Sequence, residues 1–318
     1  MMQIIRPDTT FNFVDFRYKA LIVSTILNIL ALALLFIKGP NLGIDFAGGS
    51  LVQVRFATAT TADAVRDAVR GAVGLVDIQD LGGGNTEFLI RVPQLSEAAE
   101  SVTKTIATTL DDKFGKGQVE ILRVESVGPR VGAELRTRAV WAVLLSTLMM
   151  GVYIWLRFEW RYGIGAVVAL LHDVIITVGF LVAFGYEFDL TIVAALLTVV
   201  GFSVNDTVIV SDRIRENRRK DRSASLAAII NRSVNETLSR TLLTTGTVIM
   251  VVVALYVLGG PVIHGFAFSL LVGFTVGVYS SVFIAAPVVL FFERASNTAA
   301  AAARSARRSV PASAARRR

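Results

Sequence analysis

The sequence predicts a multi-span α-helical membrane protein with six transmembrane helices and one α+β domain exposed outside the membrane, between helices 1 and 2. Three observations predict it. Of 318 residues, 53% are hydrophobic and only 18% are charged, where an ordinary soluble domain carries about 25% charge. Six stretches are long and charge-poor enough to cross a hydrocarbon core of ~30 Å, which takes about 20 apolar helical residues. One long stretch between the first two spans has the balanced charge and alternating pattern of a water-exposed fold.

The spans are 20–37, 139–156, 162–184, 190–211, 241–258 and 266–292. Asp173 alone interrupts the third, and Asp206 alone the fourth. The first span reads as an anchor and not as a cleaved leader. Its apolar run exceeds the usual one, and Lys38-Gly39-Pro40-Asn41 lacks a small-x-small cleavage pattern. Orientation follows from Lys and Arg in the short loops. Loops 185–189 and 259–265 have none, so those ends share a side. The opposite side holds Arg157, Arg161, a cluster from Arg213 to Arg232, and the seven arginines of the tail. Residues 1–19 and the low-complexity, disordered tail 293–318 are therefore expected in the cytoplasm. The formal net charge of +7 and the pI near 10.0 then report membrane orientation. Segment 212–240 reads as cytoplasmic. Its Leu226, Ile229, Ile230, Val234 and Leu238 fall on one helical face, the pattern of an amphipathic helix lying in the interface ahead of the fifth span.

Residues 38–138 form the exterior domain. Leu51–Phe56 alternates as a strand, and Thr61 opens a helical run through Ala72 as a side-chain cap. Val76–Leu81 and Glu87–Val92 read as strands around a Gly-Gly-Gly-Asn turn at 82–85. Ser96 is the expected cap of a helix to Phe114, and Gln118–Val127 alternates again. The order β-α-β-β-α-β is the ferredoxin-like split unit. About 100 residues can bury a modest core without disulfides, and the chain has no cysteine at all.

Several chemistries lack their residues. Without cysteine there is no thiolate metal site and no cysteine nucleophile. Lys116 stands in Gly-Lys-Gly without the frame of a phosphate-binding loop, so no nucleotide site is expected. Neither His172 nor His264 belongs to a zinc-protease motif, no Gly-x-Ser-x-Gly elbow occurs, and no lysine lies within a span. No metal, cofactor or enzymatic activity is expected. His264 falls in a short exterior turn with no role assigned.

Three ionisable residues remain in or beside the spans: Asp173, Asp206 and Arg240. A charge at mid-bilayer costs at least ~2.5–3.5 kcal/mol, so such residues face a cavity or a partner. A rise of ~1.5 Å per residue places Asp173 about 18 Å and Asp206 about 9 Å from the arginine-rich edge. Arg240 sits at the mouth of the fifth span, within reach of Asp206 if the fourth and fifth spans are neighbours. Asn205 and Thr207 make the surroundings of Asp206 polar, and His172 adjoins Asp173. A carboxylate held between loss of hydration and a nearby guanidinium could load and release a proton as that distance changes. The bland readings stay open: Asp206 as a hydrogen bond between helices, Arg240 as a headgroup anchor, and Asp173 with His172 as a staple.

Four segments carry a family resemblance: Leu171–Thr177, Asp189–Val193, Val204–Asn217 (VNDTVIVSDRIREN) and Asn235–Thr241. With Gly43-Ile-Asp-Phe-Ala-Gly-Gly49 and Val127-Gly-Pro-Arg-Val-Gly132, they resemble the SecD/SecF family of protein-export membrane proteins, of the resistance–nodulation–division superfamily. The resemblance covers about residues 15–293 and is to the SecF half. It implies an accessory subunit of the Sec translocase in the bacterial inner membrane, multi-pass, with both termini cytoplasmic. The implied partners are a separate SecD, the SecYEG channel with its associated subunits, the translocating preprotein and membrane lipid. It also implies a proton relay at Asp206 and Arg240, with Asp173, His172, Asn205 and Thr207 as possible relay or packing support. The rival readings are a proton-driven exporter of lipid or small molecules of the same superfamily, an intramembrane aspartyl protease using Asp173 and Asp206, and a passive scaffold. The compact exterior domain argues against the exporter. The lack of Tyr-Asp and Gly-x-Gly-Asp signatures argues against the protease.

Overall fold

A computed structural model describes residues 10–74, 76–81, 84–93 and 99–293. The cap expected at Ser96 and the arginine-rich tail lie outside the described residues. Among the described residues, six helices are long and apolar enough to cross a membrane. They are α1 (Phe13–Ile37), α5 (Pro129–Arg157), α6 (Trp160–Phe184), α7 (Leu190–Lys220), α8 (Leu226–Leu258) and α9 (Pro261–Ser280). A π-helical turn over Ser281–Ala285 continues α9 towards Glu293. Helices α6, α7 and α9 are the most buried, while α1, α5 and α8 turn apolar side chains such as Ile29, Leu156 and Val251 outwards. In water such an exterior would be an aggregation surface; against lipid it is the expected one.

The exterior domain lies between α1 and α5. It comprises β1 (Asn41–Leu42), the one-turn α2 (Ile44–Ala47), β2 (Gly49–Phe56), α3 (Ala62–Val73), β3 (Asp77–Asp80), β4 (Glu87–Pro93), α4 (Ala99–Phe114) and β5 (Val119–Val127). The last four strands form an antiparallel sheet in the order β3-β4-β2-β5, which is the ferredoxin-like topology read from the sequence. Alternation decides its faces. Val52 and Val54 of β2, with Phe88 and Ile90 of β4, point to one side and pack against Val65 and Val69 of α3 and Ile106 and Leu110 of α4. Thr61 caps α3 by accepting from the Ala64 N–H at 3.2 Å. Asn85 takes a left-handed φ of 54° at the hairpin.

The other sheet face looks down on the bundle. Leu51, Gln53, Leu89 and Arg91 face Tyr186 and Glu187 across a cavity of about 890 Å³. Here β1 pairs in parallel with β6 (Glu187–Phe188), in the turn between α6 and α7. The Gly43 N–H donates to the Phe188 carbonyl at 2.8 Å. Asp45 accepts from the Leu190 N–H at 2.9 Å and so helps Asp189 cap α7. Gly48 and Gly49 take φ of 79° and 134°, which side chains rarely adopt. A Cβ on Gly48 would sit 2.8 Å from Pro129 Cα, and one on Gly49 would sit 2.6 Å from the Val92 carbonyl. Two glycines thus let the end of α2 lie directly on the start of α5 and on the sheet.

Two sequence expectations change. The amphipathic run 226–238 is not a separate interfacial helix. It is the first part of α8, continuous with the fifth span. Its Ile229, Ile230 and Val234 pack on Tyr162, Val210 and Ile214 of the bundle and not on lipid. His264 is not in a turn either. Pro261 at the first turn starts α9 early, and His264 packs its ring 4.0 Å from that of Tyr256.

Arg91 and Glu187 form an ion pair between domain and bundle, with side chains 15% and 27% exposed. Burial raises the Glu187 carboxyl above its ordinary range, and Arg91 pulls it back. The docked state therefore holds that proton more readily than a free loop would. By linkage, docking is firmest below the ordinary carboxylate range and weakens as pH rises through the raised value. Arg91→Gln should loosen docking by about 2 kcal/mol, less than the ~3–5 for breaking a fully buried pair, and Glu187→Gln by less. Spin-label distances between β4 and the α6–α7 turn check this; undocking that grows as pH falls would contradict it.

Candidate functional site: buried acids in the bundle

The candidate groups lie where α6, α7, α8 and α9 meet. Asp173 is fully buried on α6. Its Oδ2 accepts from the Ser203 hydroxyl of α7 at 2.6 Å and from the Ser280 hydroxyl of α9 at 2.8 Å. Its Oδ1 lies 2.9 Å from His172 Nδ1. With the carboxylate accepting, Nδ1 carries the imidazole proton. Nε2 is buried without a partner, and the ring stacks on Tyr279 at 6.2 Å. Tyr279 donates to the Ala20 carbonyl and accepts from Ser24, which ties α1 into the same knot. Gly277 makes room: a Cβ there would stand 3.2 Å from Ser203 Cβ and 3.6 Å from Asp173 Oδ2. Asp173 thus binds three helices through one carboxylate, in a region where water offers no alternative partner.

Asp206, on α7, is differently placed. It is 2% exposed, and the Thr245 hydroxyl of α8 reaches its Oδ2 at only 3.4 Å. Among the described residues its Oδ1 has no hydrogen-bond partner, and neither does Thr241 Oγ1 one turn away on α8. Helices α7 and α8 are neighbours, the condition on which pairing of Asp206 with Arg240 depended. Arg240 lies on α8 on the N-terminal side of Thr241 and Thr245; it is exposed, and no ion pair joins it to Asp206. A carboxylate with a vacant oxygen, one long hydrogen bond and a guanidinium at a distance can change its protonation without breaking a tight contact.

The other sequence candidates separate. Thr207 is buried, but its hydroxyl meets the Ser203 carbonyl and the Ser281 hydroxyl, at 3.2 and 3.0 Å, and not Asp206. Asn205 is exposed on the outer face of α7. Successive helical residues turn by about 100°, so neighbours in sequence diverge in space. Sequence reasoning missed Ser280, Ser281 and Thr245. The one available signal was the serine pair at 280–281 inside an apolar span. Ser281 opens the π-helical turn, a local widening that recurs at functional positions.

A family model described as Protein export membrane protein SecD/SecF, C-terminal, matches residues 105–295, and one described as SecD/SecF GG Motif matches residues 33–60. The chain belongs to the SecD/SecF family. It is 46% identical over 288 residues to the protein translocase subunit SecF of Desulfurispirillum indicum, covering 88% of this chain and 91% of that one. The SecF of Vibrio alginolyticus is 42% identical over 292 residues, covering 91% and 92%. The fold resembles the crystal structure of SecDF, a translocon-associated membrane protein from Thermus thermophilus, with TM-score 0.80 and 34% identity. That match covers 92% of this chain and 40% of the other, so the chain spans about two fifths of the SecDF length. Membership in the SecD/SecF family makes this a protein-export membrane protein of the Sec pathway. Its curated relatives are named as translocase subunits, which is a transport role. The glycine pair of the GG motif is Gly48–Gly49, whose close contacts are described above.

The Asp173 knot has a direct test. Asp173→Leu removes the acceptor for two hydroxyls and an imidazole in a buried site. It should lower stability by about 3 kcal/mol, read as thermal unfolding in detergent. Asp173→Asn keeps one acceptor oxygen and should cost clearly less.

Proposed function

We propose that this chain is a SecF-type subunit that works with SecD to draw exported polypeptides across the bacterial inner membrane, using the proton motive force. The observation that carries the reading is the state of Asp206: buried, with one vacant oxygen, and held near Arg240 without a locked pair. A proton crossing the membrane releases ~2.3 kcal/mol per 100 mV, enough to drive a change of helix packing without nucleotide. In this reading Asp206 takes up and releases the proton, and Arg240 sets how firmly it is held. Asp173 with His172 keeps α6, α7 and α9 in register.

The arginine-rich ends of α5–α8 support a cytoplasmic location for both termini, with the exterior domain in the periplasm. Motion would reach that domain through α5, which runs unbroken from the glycine pair into the bundle, and through the turn held by Arg91 and Glu187. The cavity between sheet and bundle is the surface offered to the preprotein as it leaves the SecYEG channel. A separate SecD would cover the exposed face of α7, where Thr198, Gly201 and Asn205 make a small, polar surface that lipid does not favour.

Asp206→Asn keeps size and burial but cannot ionise. It should leave assembly with SecD intact and abolish the gradient-dependent part of export, measured on membrane vesicles with and without an ionophore. Export that still responds to the gradient in this variant would defeat the mechanism.

A further inference from the structure

At the arginine-rich end of the bundle, α6, α7 and α8 enclose a second cavity, of about 580 Å³. One wall is basic, with Arg215, Arg218, Arg219 and Arg222. The other is apolar: Phe158, and Tyr162 and Ile229 from the buried core. Three acids also border it, and two are engaged. Glu293 is shared by Arg161 and Arg218, the latter at 3.1 Å. Asp221 accepts from the Ser223 hydroxyl at 2.7 Å and from the Ala224 N–H at 3.1 Å. Glu159 alone is left opposite Arg215, Arg219 and Arg222, none of which has an ion pair among the described residues. Arg215 is half-buried in that condition.

The same helix pair supplies its own control. Away from the cavity, Arg213 and Arg232 are held by Glu236, and Lys220 by Glu216. Cations are thus neutralised from within on one side and left unmatched on the other. The level in the membrane is also marked. Trp160 packs on Phe292 at 5.3 Å, and the Arg157 guanidinium lies 5.1 Å over the Phe158 ring, the aromatic and cationic signature of a membrane–water boundary. Unmatched guanidinia beside hydrocarbon call for a ligand that is anionic at one end and apolar at the other, and the volume lies within the usual range for a bound small molecule. The tail beyond Glu293 carries seven arginines and is the wrong charge to fill it.

The geometry points to a binding site for the phosphate headgroup of an anionic phospholipid, such as phosphatidylglycerol. Only the choice of the inner leaflet rests on the orientation proposed above. Guanidinium forks suit phosphate oxygens, and basic residues at the membrane surface attract anionic lipid.

The test uses the full chain in detergent, titrated with phosphatidylglycerol or phosphatidylcholine and read by native mass spectrometry. Phosphatidylglycerol should be retained, and phosphatidylcholine not. The triple variant Arg215→Gln, Arg219→Gln, Arg222→Gln should bind at least about tenfold more weakly. The charge-matched variant Arg213→Gln, Lys220→Gln, Arg232→Gln should bind as the parent does. If the first triple variant does not fold, Arg222→Gln alone, at an exposed position, should show a smaller loss in the same direction. Equal loss in both triple variants, or in neither, overturns the site. Glycerol 3-phosphate binding as tightly as the lipid overturns the lipid as its source. Asp206→Asn should bind phosphatidylglycerol unchanged, so failure of the proton mechanism and failure of this site are distinguishable.

Discussion

Hydrocarbon supplies no hydrogen bonds, so every polar group inside the bundle must find a partner within the protein or be left with a vacancy. Asp173 and Asp206 are the two outcomes of that constraint. Asp173 gathers Ser203, Ser280 and His172, and through His172 and Tyr279 it reaches α1. The knot ties α6, α7, α9 and α1 together between the apolar clusters of the bundle. Gly277 is small because a side chain would separate α9 from α7, and consecutive serines can serve α6 and α7 where α9 enters its π-helical turn. Removing the acceptor would strand the Ser203 hydroxyl and the His172 imidazole, while Ser280 keeps the Gly277 carbonyl at 3.1 Å. Asp206, a single turn of α7 away from Ser203, has no such company.

A second constraint joins bundle and exterior domain. Four features converge on one small region: the glycine pair beside Pro129, the short parallel pairing of β1 and β6, the Asp45 cap on α7, and the Arg91–Glu187 pair. Two are backbone contacts, which side-chain exchange does not readily replace, and the Asp45 cap sets a side-chain oxygen on a backbone N–H. Glu187 is held there against its own burial, which favours its protonated form. The domain therefore sits on the bundle by a rigid seam along α2 and α5 and by an adjustable contact at the α6–α7 turn. A change in the packing of α7 reaches both, since Leu190 begins that helix and Asp45 caps it.

Much of this was legible in the residues. Absence of charge over six stretches located the spans, and alternation with Thr61 and the glycine-rich turn gave the strand order of the exterior domain. Asp173 and Asp206 stood out as lone charges within their spans. Rotation about the helix axis was not legible. Asn205, Asp206 and Thr207 look like one polar group in sequence, but the first faces outwards, the second faces α8 and the third faces α9. Span ends were also obscure where the pattern was continuous. Leu226 to Leu258 is one helix because its amphipathic start finds protein to pack on. The partners of Asp173 come from 30 and 107 residues away, a relation that local periodicity does not carry.

In the proposed mechanism the looseness of Asp206 matches the size of the energy source. A gradient of about 150 mV supplies roughly 3.5 kcal/mol per proton. Breaking a buried ion pair by losing one partner costs about 3–5 kcal/mol. A direct, fully desolvated Asp206–Arg240 pair would therefore absorb nearly all the work of one proton in simply opening. The observed arrangement avoids this. Arg240 is exposed and not ion-paired with Asp206, which leaves only the 3.4 Å bond from Thr245 to be exchanged. The tight ion pairs lie elsewhere, at the exterior turn and along the arginine-rich ends of α6–α8. There they hold the frame against which a small displacement of α7 can be transmitted.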